Sequence, residues 1–123
     1  MSYDLQLGVK VAGAEDLYAT IAEPERSSPT YNLRAMFVAC MDWDYEQGEW
    51  YKVSDVLPKI RHGIAELSAR PLYYSKYNAS NGWGNVASAL NDLRSLEQCI
   101  LDNAPETSMT WNEVPLDLMY MRW

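Results

Sequence analysis

The sequence predicts a single α+β domain, residues 1–123, in which three main helices pack on a small antiparallel sheet. Two kinds of periodicity support this prediction. Apolar and polar residues alternate over residues 3–11, as in a half-buried β-strand. Apolar residues then recur at helical spacing in three segments, at about 33–41, 56–67 and 86–101. The chain has 123 residues, 48% of them hydrophobic, which is enough for one domain to form a core without disulfides or bound metal.

The predicted sheet combines an N-terminal hairpin with a C-terminal strand. The first strand has its apolar side chains on one face, namely Tyr3, Leu5, Leu7, Val9 and Val11. A turn at Gly13 and a short β-prone run at 17–21 predict the second strand of the hairpin. After Pro115, a second alternation sets Leu116, Leu118 and Tyr120 against Asp117, Met119 and Met121. This run predicts a final strand that pairs with the hairpin.

Capping and helix-breaking residues give the expected bounds of the first two helices. Ser28 and Pro29 are the expected N-cap and first position of the first helix, whose period is lost after Asp42. Ser54 is the expected N-cap of the second helix, and Pro71 ends it.

The third predicted helix spans about 85–102 and follows a turn-rich segment at 78–84. Gly63 lies within the second helix and weakens it by roughly 1 kcal/mol relative to alanine. We therefore expect another helix to approach closely at this glycine. The predicted core comprises Leu5, Leu7, Val9, Leu33, Met36, Phe37, Leu57, Ile60, Ile64, Leu67, Leu90, Leu93, Leu96 and Ile100.

The net charge of the chain is −7 at pH 7, which bears on its partners. Such a charge disfavours nucleic-acid backbones and anionic lipid, so we expect neither a nucleic acid nor a membrane as partner. It is compatible with a basic protein. No segment has the pattern of a signal peptide or the ~18 apolar residues of a membrane span. Cys40 and Cys99 lie in apolar helical stripes, as expected for buried, reduced thiols, and we expect a cytoplasmic location.

The sequence contains no recognisable catalytic set. His62 is the only histidine, and no nucleophile motif accompanies it. One histidine and two distant cysteines do not make a zinc site. The acidic loop at 42–49 does not have a glycine or a terminal bidentate glutamate at the positions that an EF-hand loop requires. The sequence therefore predicts no catalytic residue, no metal ligand and no cofactor.

Aromatic residues gather in two loops and are the candidate binding residues. The first group, with one acidic neighbour, is Trp43, Asp44, Tyr45, Trp50 and Tyr51, and the second is Tyr73, Tyr74, Tyr77 and Trp83. If both loops meet at one end of the helices, they form an aromatic surface with an acidic rim, a composition typical of protein-binding hot spots. The alternative is that the rings fill this end as a second small core.

Four short motifs resemble a family of small proteins encoded by phages and prophages. They are MSYDL at 1–5, TYNL at 30–33, VLP at 56–58 and NGWG at 81–84. That family has no assigned activity, so the resemblance implies no catalytic residue. It implies a small accessory protein that acts inside a bacterial host.

Three functional hypotheses follow from the sequence. The first is a non-enzymatic module that binds a bacterial protein through the aromatic and acidic end. The second is a small-ligand or enzymatic domain that uses the same aromatic end, with carboxylates as acid–base groups, and it requires a deep pocket holding a carboxylate with a strongly raised pKa. The third is a self-assembling, virion-associated protein, a homo-oligomer in which residues 116–123 form a sheet edge that pairs across chains.

Overall fold

In the computed structural model, which describes residues 2–13, 17–103 and 118–123, four strands form one antiparallel sheet accompanied by four α-helices. The strands are β1 (Gln6–Lys10), β2 (Tyr18–Ala22), β3 (Trp50–Lys52) and β4 (Met119–Arg122). The helices are α1 (Arg34–Met41), α2 (Val53–Ala69), α3 (Pro71–Tyr74) and α4 (Val86–Asn103). The predicted α+β class and the three main helices are confirmed, and α3 is an additional single turn.

The sheet has the strand order β2-β1-β4-β3, so β4 lies between β1 and β3. The predicted hairpin is confirmed as β1 and β2, whereas β3 was not predicted. Leu7 of β1 lies opposite Met121 of β4, and both side chains are buried on the face that meets the helices. Of the two faces in the predicted final strand, the one bearing Met119 and Met121 is therefore the buried one. The predicted positions from Pro115 to Asp117 lie outside the described residues.

The first strand is shorter than predicted. Val11 lies beyond β1 and is 37% exposed, so it does not belong to the core face. β1 ends at Lys10, where its pairing with Tyr18 of β2 begins the turn of the hairpin. The alternation in the sequence continues past this point because it records only the period, and the end of the pairing is set by the partner strand.

The first helix begins later than predicted. Ser28 and Pro29 are not its N-cap and first position, because this segment runs in an extended conformation beside the N-terminal residues. The backbone N–H of Tyr3 donates to the carbonyl of Pro29 at 2.7 Å. A 3₁₀ turn at Tyr31–Leu33 precedes α1, and the hydroxyl of Thr30 accepts from the N–H of Asn32 at its start. The predicted end is confirmed, since Asp42 takes up a left-handed conformation with φ 51°.

The second helix begins directly at the end of β3. Ser54 is not its N-cap but lies in its first turn, because β3 pairs with β4 through Lys52 and leaves no room for a separate cap. The helix ends at Ala69, before Pro71, as predicted. At α4, Asn85 and Ser88 cap each other's backbone N–H groups reciprocally, both at 2.9 Å.

One hydrophobic core joins the inner face of the sheet to the helices. Most of the predicted core residues are buried, whereas Val9, Ile64 and Leu90 are half-buried. Gly63 is buried between α1 and α4, as its position in the helix predicted. Among the described helices, none combines the length and the apolar run that crossing a bilayer requires.

Candidate functional site

The first aromatic group is mostly interior. Tyr45 is buried and stacks on Trp123, with ring centroids 4.8 Å apart and an interplanar angle of 18°. The hydroxyl oxygens of Tyr45 and Tyr3 are 2.8 Å apart and share a hydrogen bond. Trp43 and Tyr51 are half-buried and make a T-shaped contact at 4.8 Å. These rings therefore pack as a small aromatic core, which is the alternative to the exposed binding surface.

Arg34 closes this aromatic core toward solvent. Its guanidinium lies 4.7 Å from the ring centroid of Tyr45 and donates to the carbonyl of that residue at 2.9 Å. The same nitrogen donates to the carboxylate of Asp44 at 3.0 Å, and Asp44 itself is exposed. Burial, together with the hydrogen bond that the Tyr45 hydroxyl shares with Tyr3, raises the pKa of Tyr45 above its ordinary value, which keeps the group neutral. These contacts stabilise the packing of the aromatic core, and Nη1 of Arg34 is buried without a hydrogen-bond partner among the described residues.

Trp50 lies apart from this core, on the opposite face of the sheet. Its ring is stacked on Tyr18 of β2, with centroids 4.8 Å apart and an interplanar angle of 10°. The two residues belong to opposite edge strands, and their rings meet because Gly8 between them has no side chain. Residues that are close together in the sequence and were predicted to form one group thus lie at two separate places in the fold.

The second aromatic group is divided as well. Tyr74 is 3% exposed and belongs to the core, and Tyr77 is half-buried. Tyr73 is exposed, with the guanidinium of Arg70 and the ammonium of Lys76 at 4.0 Å and 3.9 Å from its ring centroid. In the described part of the chain, no ring contact links the first group to the second. Asp44 and Tyr77 do line one shallow groove along α1, of about 610 Å³.

Among the described residues, the most exposed large apolar side chain is one that the sequence patterns did not indicate. Leu72 on α3 is 87% exposed and stands next to Tyr73. Pro71, the residue before Leu72, lines a mainly apolar groove of about 450 Å³ between α2 and α4, together with Leu67, Val86, Leu90 and Arg94. We call Leu72, Tyr73 and this groove the apolar corner.

Trp83 stands at a third location, in the wall of a polar pocket of about 540 Å³. Its indole is 71% exposed. The pocket also contains Asp92, which is 4% exposed and accepts a hydrogen bond from Nε of Arg26 at 2.6 Å. The backbone N–H of Arg26 donates to Ser95 at 3.0 Å, so this residue ties its loop to α4. The buried carboxylate therefore has a structural partner.

The Asp92 carboxylate has a raised pKa. Burial raises it, and the ion pair with Arg26 offsets this only in part. A small-ligand or enzymatic domain requires a raised-pKa carboxylate in a pocket, and this pocket contains one. Of the candidate binding residues, however, only Trp83 lines it.

Replacing Asp92 with asparagine should change how stability depends on pH. Because the folded state raises this pKa above 3.8, protonated Asp92 favours folding at low pH, and this contribution is lost as the pH rises through the raised pKa. Asp92→Asn cannot titrate. We expect the free energy of unfolding of the parent, relative to that of the variant, to fall as the pH rises from about 3.8 to the raised pKa of Asp92. Above that pKa the difference should level off. Urea unfolding of both proteins at a series of pH values measures this, and a flat or rising difference would contradict it.

The other reactive residue types are in unreactive settings. Burial raises the pKa of the Cys40 thiol to about 12, and burial also raises the pKa of Cys99. Both thiols are free, and His62 is exposed on α2. The described ranges contain no group of three or more histidine, cysteine, aspartate or glutamate side chains placed to hold a metal ion.

The predicted route to self-assembly is not available in this fold. Residues 119–122 pair with β1 on one side and β3 on the other, so they are not a sheet edge. The edges of the described sheet are β2 and β3.

No protein family, curated protein or solved structure was found to match this chain. Any inference about its function therefore has to start from the α+β fold and from the surfaces described above.

Proposed function

We propose that this chain is a non-enzymatic protein-binding module and that the apolar corner is its contact surface. The observation that carries the proposal is the exposure of Leu72, which is 87% accessible on a helix of one turn. An exposed leucine followed by an exposed tyrosine, and preceded by a proline that lines an apolar groove, supplies the kind of accessible apolar surface that is typical of an interaction site.

Tyr73 is held in place before any partner arrives. The cations of Arg70 and Lys76 both lie within about 4 Å of its ring centroid, and Arg70 is in turn paired with Glu66 at 3.5 Å. A ring restrained in this way loses little conformational entropy on binding, which favours affinity. Tyrosine and arginine are also the residue types that dominate binding hot spots.

The charges around the corner specify the chemistry of the partner. Arg70 and Lys76 lie against the ring of Tyr73, and Arg94 lines the apolar groove. The expected partner therefore presents an apolar anchor flanked by acidic residues, whereas the net charge of the whole chain was compatible with a basic partner. The resemblance to small phage proteins makes a bacterial host protein the expected source of that segment.

The test is a pull-down from bacterial lysate at moderate salt, followed by titration of the purified partner. Leu72→Ser combined with Tyr73→Ser should weaken binding by about 10-fold or more, since hot-spot truncations cost about 2 kcal/mol or more. Among the candidate aromatic residues, Tyr74 is a less suitable target, because it is buried and its truncation would test folding.

Leu17→Ser is the matched control, because Leu17 is also an exposed leucine but lies beside β2. A partner that binds the parent and the control equally, and the double variant at least 10-fold more weakly, supports the proposal. Equal binding by the double variant, or no retained partner, contradicts it. Thermal unfolding of all three proteins verifies that the double variant is folded.

A further inference from the structure

The outer face of the sheet, which points away from the helices, has a composition unlike the rest of the chain. The strand register places on it Gln6, Gly8, Lys10, Tyr18, Thr20, Trp50, Lys52, Tyr120 and Arg122. The cations and Thr20 are exposed, and the three aromatic rings are half-buried. We call these nine residues the outer sheet face.

The charge on this face is opposite in sign to that of the whole protein. The chain has 17 acidic residues, yet none of them lies in any of the four described strands. The outer sheet face carries three cations, Lys10, Lys52 and Arg122. Within the described residues, none of the three is in an ion pair. The excess of negative charge therefore lies elsewhere in the chain, and the three cations on this face favour an anion there.

Aromatic rings lie among these cations. Tyr18 stacks on Trp50, and Tyr120 meets Tyr18 in a T-shaped contact at 5.1 Å. The ammonium of Lys10 lies 5.3 Å from the ring centroid of Tyr120. The ring of Trp50 packs directly against Gly8. A β-carbon at this position would lie 2.8 Å from Cζ3 of Trp50, so a larger residue would displace the ring. The face thus carries a cluster of three rings with cations on the same face.

We propose that the outer sheet face binds single-stranded nucleic acid. The three cations suit phosphates, and the three rings provide π-surfaces on which unpaired bases stack without sequence preference. Four strands at a spacing of about 4.8 Å span roughly 14 Å, which accommodates two or three nucleotides. This activity uses a different face from the apolar corner, so it neither depends on the protein-binding proposal nor fails with it.

The experiment is fluorescence anisotropy with labelled oligothymidylate and oligouridylate of about 12 nucleotides, within the usual range of site sizes. Three contacted phosphates predict a slope of about −2 for the logarithm of the association constant against the logarithm of salt concentration. Binding of only one oligomer identifies DNA or RNA as the ligand, and binding of both identifies the shared chemistry.

Two sets of variants locate the contact. Lys52→Gln with Arg122→Gln should weaken binding by about 10-fold or more, and Tyr18→Leu by about 5- to 100-fold through lost stacking. The control is Lys76→Gln with Arg94→Gln, which removes the same charge away from the sheet and should change the affinity little. Circular dichroism of each variant verifies the fold.

Three results would overturn the proposal. The first is that neither oligomer binds at low salt. The second is that the control pair weakens binding as much as the Lys52 and Arg122 pair, which would reduce the effect to net charge. The third is that oligoglutamate competes as well as the nucleic acids, because the face would then bind acidic protein segments without using its rings.

Discussion

Replacing Trp123 with alanine is expected to lower the free energy of unfolding by about 3–5 kcal/mol. Trp123 is 2% exposed and touches the rings of Tyr45, Phe37 and Tyr3, with centroids between 4.8 and 6.1 Å away. Its indole N–H is buried and has no hydrogen-bond partner among the described residues, so the truncation removes packing and leaves no new polar group unpaired. Small domains are stable by only about 5–15 kcal/mol, which makes this loss a large share of the total.

Urea unfolding followed by circular dichroism measures this loss, and Trp83→Ala is the matched control. Trp83 is the same residue type but is 71% exposed, and its truncation should change the free energy of unfolding by no more than about 0.5 kcal/mol. A loss below about 1 kcal/mol for Trp123→Ala would show that the aromatic core does not stabilise the fold as its contacts indicate.

Gly63→Leu is expected to have an effect of similar size but of opposite cause, since it adds atoms to a space already filled. A β-carbon at this position would lie 2.8 Å from Cγ of Met41 and 3.0 Å from Cδ1 of Leu93. These neighbours belong to α1 and α4, so three helices would have to separate. We expect a loss of about 3 kcal/mol or more, at the upper end of overpacking effects, and a fall in Tm of about 10 °C.

Ala65→Leu is the control for this second prediction. It introduces the same side chain on the same helix, but at an exposed position. Thermal and urea unfolding should show a change within about 0.5 kcal/mol for Ala65→Leu. Equal free energies of unfolding for the two variants would contradict the close packing of α1 and α4 against Gly63.

The sequence predicts the elements whose cause is local. The apolar stripes fix the three main helices, and the glycine in α2 correctly indicated a close helix approach. The sequence could not predict β3 or the buried face of β4, because both depend on pairing between distant segments. The N-cap at Ser28 was wrong for the same reason. The carbonyls of its neighbours Ser27 and Pro29 accept from the N-terminal backbone, which no local pattern records.

The candidate surfaces were only partly predictable. The aromatic residues were identified by composition, but their grouping followed chain order, and the fold separates Trp50 from Tyr45. Leu72 was missed because its exposure depends on the direction in which α3 leaves α2. The positive outer sheet face was hidden by the net charge, since a sum over the chain contains no information about which residues share a face.

The central place of β4 imposes an order on the assembly of the sheet. Leu7 and Met121 are opposite each other but more than a hundred positions apart, whereas the turn between β1 and β2 is short. Closing the long loop costs about 2 kcal/mol more in chain entropy than closing a loop of about ten residues. The hairpin can thus form before the rest of the sheet, but β3 cannot join it until β4 has arrived, because β4 is its bridge to β1.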